Sequence, residues 1–199
     1  MPADARRANP PTDEMTIEAY LAFTETRPRE ERWELIEGRP VIGPSPTLWH
    51  QQIAANICVS LTKLRDQHDL PWIALLGTGT IVPVSPRSLP QPDVMVLPGI
   101  VEEGDTHYTD DVLILFEVLS RSNRRADQLW RRRVYASIPN CQHYVTIEQR
   151  RLAVTRYDRA DGWKGTVRKS LDGKLELAGL GKDIAIPLRE IYRFTPLGG

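Results

Sequence analysis

The chain has 199 residues, 41% of them hydrophobic and 26% charged, a balance that suits one globular domain with an ordinary core. Two cysteines, Cys58 and Cys141, form no CxxC pair and are too few for a disulfide framework. Even the longest uninterrupted apolar runs, such as Val112–Phe116, fall far short of the roughly 20 residues of a membrane helix, and no secretory signal is visible; a cytoplasmic protein with reduced thiols and no membrane partner is expected.

Residues 1–14, MPADARRANPPTDE, read as a disordered leader, leaving 15–199 as a single domain. Thr16 is placed to cap a short helix through TIEAYLAF. ERWELIEGRPVIG reads as a hairpin, with a strand over Trp33–Ile36, a turn at Glu37-Gly38 and a return through Val41. From Leu48 to about Gln67, Trp49, Ile53, Ile57, Leu61 and Leu64 recur at helical spacing, and Cys58 falls at a core position. WIALL, TIVPV, DVMVL and VLILFEVLS follow as strands, with Gly77-Thr-Gly79 a turn between them. A helix runs after Ser122 to about Ser137, with Ala126, Leu129, Trp130 and Val134 expected on its inner face, and Pro139 stops it. Strand-like HYVTIE, LAVTRYD, WKGTVRK and KLELA come next, with Asp-Gly turns at Asp161 and Asp172, and PLREIYRF forms a last helical turn. This order predicts an α/β (α+β) domain, a central sheet sandwiched by helices.

Glu117 interrupts the most apolar strand. A carboxylate there must be compensated, because a buried ion costs several kcal/mol even after relaxation. Asp93 follows Pro92 at the start of another apolar strand, and neighbouring strands can bring the two carboxylates together. Such a pair must share a proton or a cation, and oxygen-only ligation favours Mg²⁺ or Mn²⁺ over zinc. The alternatives are a turn-capping role for Asp93 and a structural ion pair between Glu117 and a buried arginine. Asp127, Arg131 and Tyr135, four apart, share one helix face that can lean over the carboxylates.

Charge is distributed unevenly. Residues 118–174 carry 14 Lys/Arg against 5 Asp/Glu, a balance of +9; the rest carry 12 against 21, a balance of −9. Arg121, Arg124, Arg125, Arg131, Arg132 and Arg133 crowd together, a field suited to a polyanion such as a nucleic-acid backbone, or else one solvated helix face.

MTIEAYLAF…RWELIEGRPV with Glu34, LWHQQIAANI with His50, QPDVMVL with Asp93, and FEVLS followed by RADQLWRRRVYA occur in order. Together these stretches resemble the Uma-type restriction endonuclease family, a branch of the PD-(D/E)XK nuclease superfamily. The resemblance implies a restriction-endonuclease-like core: a mixed sheet flanked by helices, with Asp93, Glu117 and the Val118 carbonyl holding Mg²⁺ or Mn²⁺. Glu34 would be an additional acidic residue, and His50, Asp127 and Tyr135 accessory positions. DNA is the implied substrate, its backbone held by Arg121, Arg124, Arg125 and Arg132, and a homodimer follows from fold analogy, since two sites are needed to cut two strands.

Leu119 stands where the orthodox superfamily signature places lysine. The family places that lysine on the next helix, where this chain has Arg131, and a second departure is Arg121 where the family commonly has proline. Arginine stays protonated and cannot be a general base, although it can stabilise phosphoryl charge. A metal-dependent endonuclease is therefore the leading expectation, and a catalytically impaired module that binds nucleic acid or a protein partner is the alternative. Ser120 lacks a nucleophile elbow and an indicated His-Asp partner, which sets a serine hydrolase aside. Trp33, Trp49, Trp130 and Tyr144 read as core, and Tyr135 as core or as a neighbour of the site.

Overall fold

The computed structural model describes residues 14–28, 30–99, 106–120 and 125–199. The expected leader, apart from Glu14, lies outside them, as do Arg121 and Arg124. The first helix, α1 (Ile17–Glu25), starts where the Thr16 hydroxyl accepts the Ala19 N–H. The hairpin pairs β1 (Arg32–Ile36) with β2 (Arg39–Gly43) around a two-residue loop; Glu37 and Gly38 have φ of +50° and +79°, the left-handed geometry such a turn requires. Helix α2 (Leu48–His68) is capped by Thr47 and ends on Asp69, itself left-handed, with Pro71 beyond.

A six-stranded sheet forms the centre, in the order β10 (Gly165–Arg168), β9 (Val154–Asp158), β8 (His143–Glu148), β7 (Ile114–Leu119), β5 (Val94–Pro98), β3 (Trp72–Leu76). Within this six-stranded sheet the one parallel pair is β7 with β8, and α3 (Arg125–Tyr135) makes the crossover between them, as a parallel pair demands. Two small pairs flank this sheet: β4 (Gly79–Thr80) with β6 (Tyr108–Thr109), and β11 (Lys174–Leu177) with β12 (Ile184–Pro187). The short α4 (Leu188–Ile191) closes the chain.

Every residue of β7 is buried, because both faces of the strand are covered. Ile114, Phe116 and Val118 face the core built by Ile53, Ile57 and Leu61 of α2, together with β11, β12 and α4. Leu115 lies on the other face, with Val134 and Tyr135 of α3, Ile138 and Tyr144. Each such large apolar side chain contributes about 1.5–3 kcal/mol by burial.

The structure corrects several details of the expected elements. TIVPV is a strand only at Thr80, where the short β4 ends; the chain then turns, the Ser85 N–H reaching the Val82 carbonyl, since Pro83 cannot donate to a ladder. Ala126 and Leu129 are exposed, while Val134 is buried as expected and Tyr135 with it, because the helix meets the sheet through its last turns. Trp49 is exposed and Trp130 half-buried, while Trp33 and Tyr144 are core. Cys58 is half-buried. The strand β12 escaped the pattern reading, its four residues being bounded by Asp183 and Pro187.

Arg159 fastens the end of α3. Its guanidinium donates to the carbonyls of Cys141, Ala136 and Ile138 at 2.7, 3.3 and 2.5 Å. Arg159→Ala is expected to cost about 1–3 kcal/mol in urea unfolding, as those carbonyls lose a charged donor. Burial pushes the Cys141 thiol up to about 12. Iodoacetamide at neutral pH is accordingly expected to leave Cys141 unmodified until the protein is denatured, which peptide mass mapping would read.

Candidate active site

Asp93 and Glu117 are brought together by strand register. The antiparallel pairing of β5 and β7 sets Val94 opposite Phe116, which brings Asp93, just before β5, beside Glu117, the residue after Phe116. The Asp93 N–H donates to the Phe116 carbonyl at 3.0 Å, continuing the ladder past the end of β5. In return the Val118 N–H donates to Asp93 Oδ2 at 2.7 Å. Both carboxylates are buried, and both line a cleft of about 320 Å³ shared with Arg32, Glu34, Val118 and Arg131.

Asp93 is held by two cationic or ionisable partners. Arg32 Nη2 lies 3.1 Å from Oδ1, and His50 Nε2 lies 3.2 Å from Oδ2. Burial alone would raise its carboxyl, but the His50 hydrogen bond and charge, the Arg32 charge and the Val118 N–H outweigh it, and the pKa is lowered. Asp93 is therefore ionised. Arg32 escaped the sequence reading; the available signal was strand alternation, which puts Arg32 and Glu34 on one face of β1.

Glu117 has a different environment. Arg131 Nη1 donates to its Oε1 at 2.9 Å, and the Tyr135 hydroxyl donates to the same oxygen at 2.8 Å. The other arm of Arg131, Nη2, donates to Glu34 Oε2 at 2.6 Å, and Glu34 Oε1 accepts the Gln91 N–H at 2.7 Å. The Glu117 carboxyl is raised to about 8: burial foremost pushes it up, Arg131 pulls it down, the charges of Asp93 and Glu34 push it up, and the Tyr135 hydroxyl pulls it down. Three carboxylates thus meet two guanidinium groups, and Glu117 is the least compensated of the three.

The hairpin carries Glu34 to this place. Leu35 and Leu89 exchange backbone hydrogen bonds, the Glu37 N–H donates to Ser88 Oγ, and this stitching aligns β1 with the segment that leads through Gln91 to Asp93. His50 arrives from the first turn of α2, whose cap Thr47 also donates through its hydroxyl to Gln149 Oε1 at 2.6 Å.

Five of the expected residues converge on the cleft wall: Glu34, His50, Asp93, Glu117 and Arg131, with Val118 beside them. Tyr135 supports Glu117 from the buried side. Asp127 and Arg125 are exposed on α3 outside that wall, and Arg132 lies over the Tyr157 ring at 5.3 Å, also outside it. The arginine cluster is therefore divided, with Arg131 alone of its described members turned into the acidic site.

A mixed six-stranded sheet flanked by helices, with two acids beside the antiparallel β5 and β7, makes a restriction-endonuclease-like fold. The chain belongs to the Uma2 family, described as "Putative restriction endonuclease", whose family model matches residues 17–188. Among solved structures, the crystal structure of "a putative nuclease belonging to DUF820 from Anabaena variabilis ATCC 29413" is similar with a TM-score of 0.70, covering 89% of this chain and 97% of that one. At 15% identity that likeness is one of fold. No curated protein matches the chain. The family expected from the ordered motifs is the family found, and among the described residues no helix is long and apolar enough to cross a membrane.

Proposed function

We propose that this protein is a metal-dependent endonuclease that hydrolyses DNA phosphodiester bonds at the cleft between β5 and β7. The observation that supports it most is that the β5–β7 pairing brings two buried carboxylates, Asp93 and Glu117, to the wall of one cleft, in a chain of this family. The donor set fits Mg²⁺ or Mn²⁺. It is made of hard oxygens, and Mg²⁺ is commonly held by one or two carboxylates while keeping several waters. Among the described residues no group of three or more His, Cys, Asp or Glu could hold an ion, so Asp93, Glu117 and the Val118 carbonyl would share it with water.

When bound, the ion supplies charge neutralisation at the phosphate and a more acidic water. The chain's own residues prepare the place. Arg32, His50 and the Val118 N–H keep Asp93 ionised and fix both of its oxygens. Tyr135 and Arg131 fix Glu117, and Arg131 ties it to Glu34. Arg131 cannot remove a proton, so its part is electrostatic. Arg125, with Arg121, Arg124 and Arg132 as the sequence implies, would contribute to holding the DNA backbone. A cytoplasmic homodimer is the working form this reading adopts, on fold analogy.

A second reading has its own support. Arg131 already bridges Glu34 and Glu117 at 2.6 and 2.9 Å, an ion-paired site that holds together without metal. That suits a catalytically impaired module which binds nucleic acid or a protein partner. Incubation of the purified protein with supercoiled and linear DNA, in Mg²⁺, Mn²⁺ or EDTA, separates the two. The endonuclease gives nicked and linear products only with metal; the module binds DNA equally in EDTA and cuts none.

A further inference from the structure

We infer that Trp49, joined to the cleft through the lining residue Arg150, is a stacking platform for an unpaired nucleobase beside the phosphate that the acidic site receives. The inference rests on the nuclease reading and deepens it: the preferred substrate has single-stranded character at the cut.

Trp49 lies one turn before Ile53, the first α2 residue fully buried against the sheet, and 40% of its surface is exposed. Its chain neighbour His50 reaches Asp93 at 3.2 Å, and Thr47, two residues before, lines the cleft. The ring is thus carried on the same helical turn as the acidic site. Arg150 joins the two: it lines the cleft, and its guanidinium carbon lies 5.9 Å from the centroid of the Trp49 ring. Gln149, which the Thr47 hydroxyl meets at 2.6 Å, anchors that connection between α2 and the end of β8.

A planar π-face, a neighbouring cation and an adjoining phosphate-sized acidic site match the parts of a nucleotide. In a duplex both faces of an internal base are covered by its neighbours, so an aromatic platform is available only to unpaired, terminal or tailed bases. Stacking of this kind accounts for about five- to hundredfold in affinity per base and tolerates any base identity. Arg150 adds backbone attraction and a cation against the ring.

Binding is measured in EDTA, where no cutting intervenes, with a labelled single-stranded oligonucleotide, the blunt duplex of the same sequence, and that duplex bearing an unpaired tail. Trp49→Ala is expected to weaken binding of the single strand and the tailed duplex by about five- to hundredfold. It should leave the blunt duplex and the salt dependence unchanged, since no phosphate contact is lost. Trp49→Phe should restore most of the loss, and because the ring is exposed, both variants should melt as the parent does. Equal affinities of parent and Trp49→Ala for all three ligands would overturn the inference. So would an equal loss on all three, or a base-independent loss accompanied by a change of sedimentation, which would assign Trp49 to a contact with a second copy of the chain. If the parent cuts DNA with metal while Trp49→Ala is indistinguishable, only the platform fails. If the parent neither binds nor cuts any of these nucleic acids, the nuclease reading falls and the platform with it.

Discussion

Arg131→Met is expected to lower the stability of the fold by about 3–5 kcal/mol, the cost of stranding a buried charge when its partner is removed. Arg131 is only 13% exposed, and its guanidinium reaches Glu117, 7% exposed, and Glu34, 16% exposed. Methionine has similar length and apolar bulk, so the main loss is electrostatic: Glu34, Asp93 and Glu117 are left in one cleft with Arg32 and His50 as the remaining partners. For a chain of this size the loss corresponds to a fall in Tm of about 6–20 °C. Two further measurements identify the cause. Above pH 8, where Glu117 would otherwise be ionised, Arg131→Met combined with Glu117→Gln should recover part of the loss, because the stranded charge is gone. Mg²⁺ or Mn²⁺ should raise the Tm of Arg131→Met more than that of the parent, since the ion replaces the missing guanidinium. A loss below about 1 kcal/mol with no response to metal would show that Arg131 does not compensate the acids.

The second large effect concerns cleavage. Asp93→Asn and Glu117→Gln are each expected to reduce metal-dependent DNA cleavage by about 10²–10⁴-fold, the range that follows from losing several kcal/mol of charge stabilisation. The two substitutions differ in what they disturb. Glutamine at 117 keeps an oxygen to accept from Tyr135 and Arg131, so the fold should persist. Asparagine at 93 can keep an oxygen for the Val118 N–H and His50, which share Oδ2, but then turns its amide toward Arg32, so some stability is lost as well. Calorimetric titration with Mg²⁺ or Mn²⁺ distinguishes loss of the ion from loss of chemistry: both variants should bind it more weakly. Undiminished cleavage in either variant would move the active site elsewhere.

How much of this was visible beforehand depended on whether a signal is local. Asp93 and Glu117 stood out because a carboxylate in an apolar strand is expensive wherever it occurs, and Pro92 marked where the strand begins. Helix α2, the hairpin with its Glu37-Gly38 turn and the strand β7 were readable because periodicity and turn residues act within a few positions. Glu34 and His50 came through the ordered motifs. Trp49 misled for an instructive reason: its spacing from Ile53 and Ile57 puts it on the apolar stripe, yet the stripe outruns the sheet that would cover it. Leu129 failed likewise on α3.

By itself the sequence determined the family, the kind of elements and the two carboxylates, because binary pattern, turn chemistry and the cost of burying charge are all decided by near neighbours. Tertiary structure alone decided what each charge meets. The compensation of Glu117 by Arg131 and Tyr135, the grip of Arg32 and His50 on Asp93, and the division of the arginine cluster all follow from the β5–β7 register, the α3 crossover and the docking of the hairpin on the segment before Asp93. Ion pairs between residues far apart in the chain leave no periodic trace, since their geometry exists only once the sheet has formed and the strands have chosen their partners.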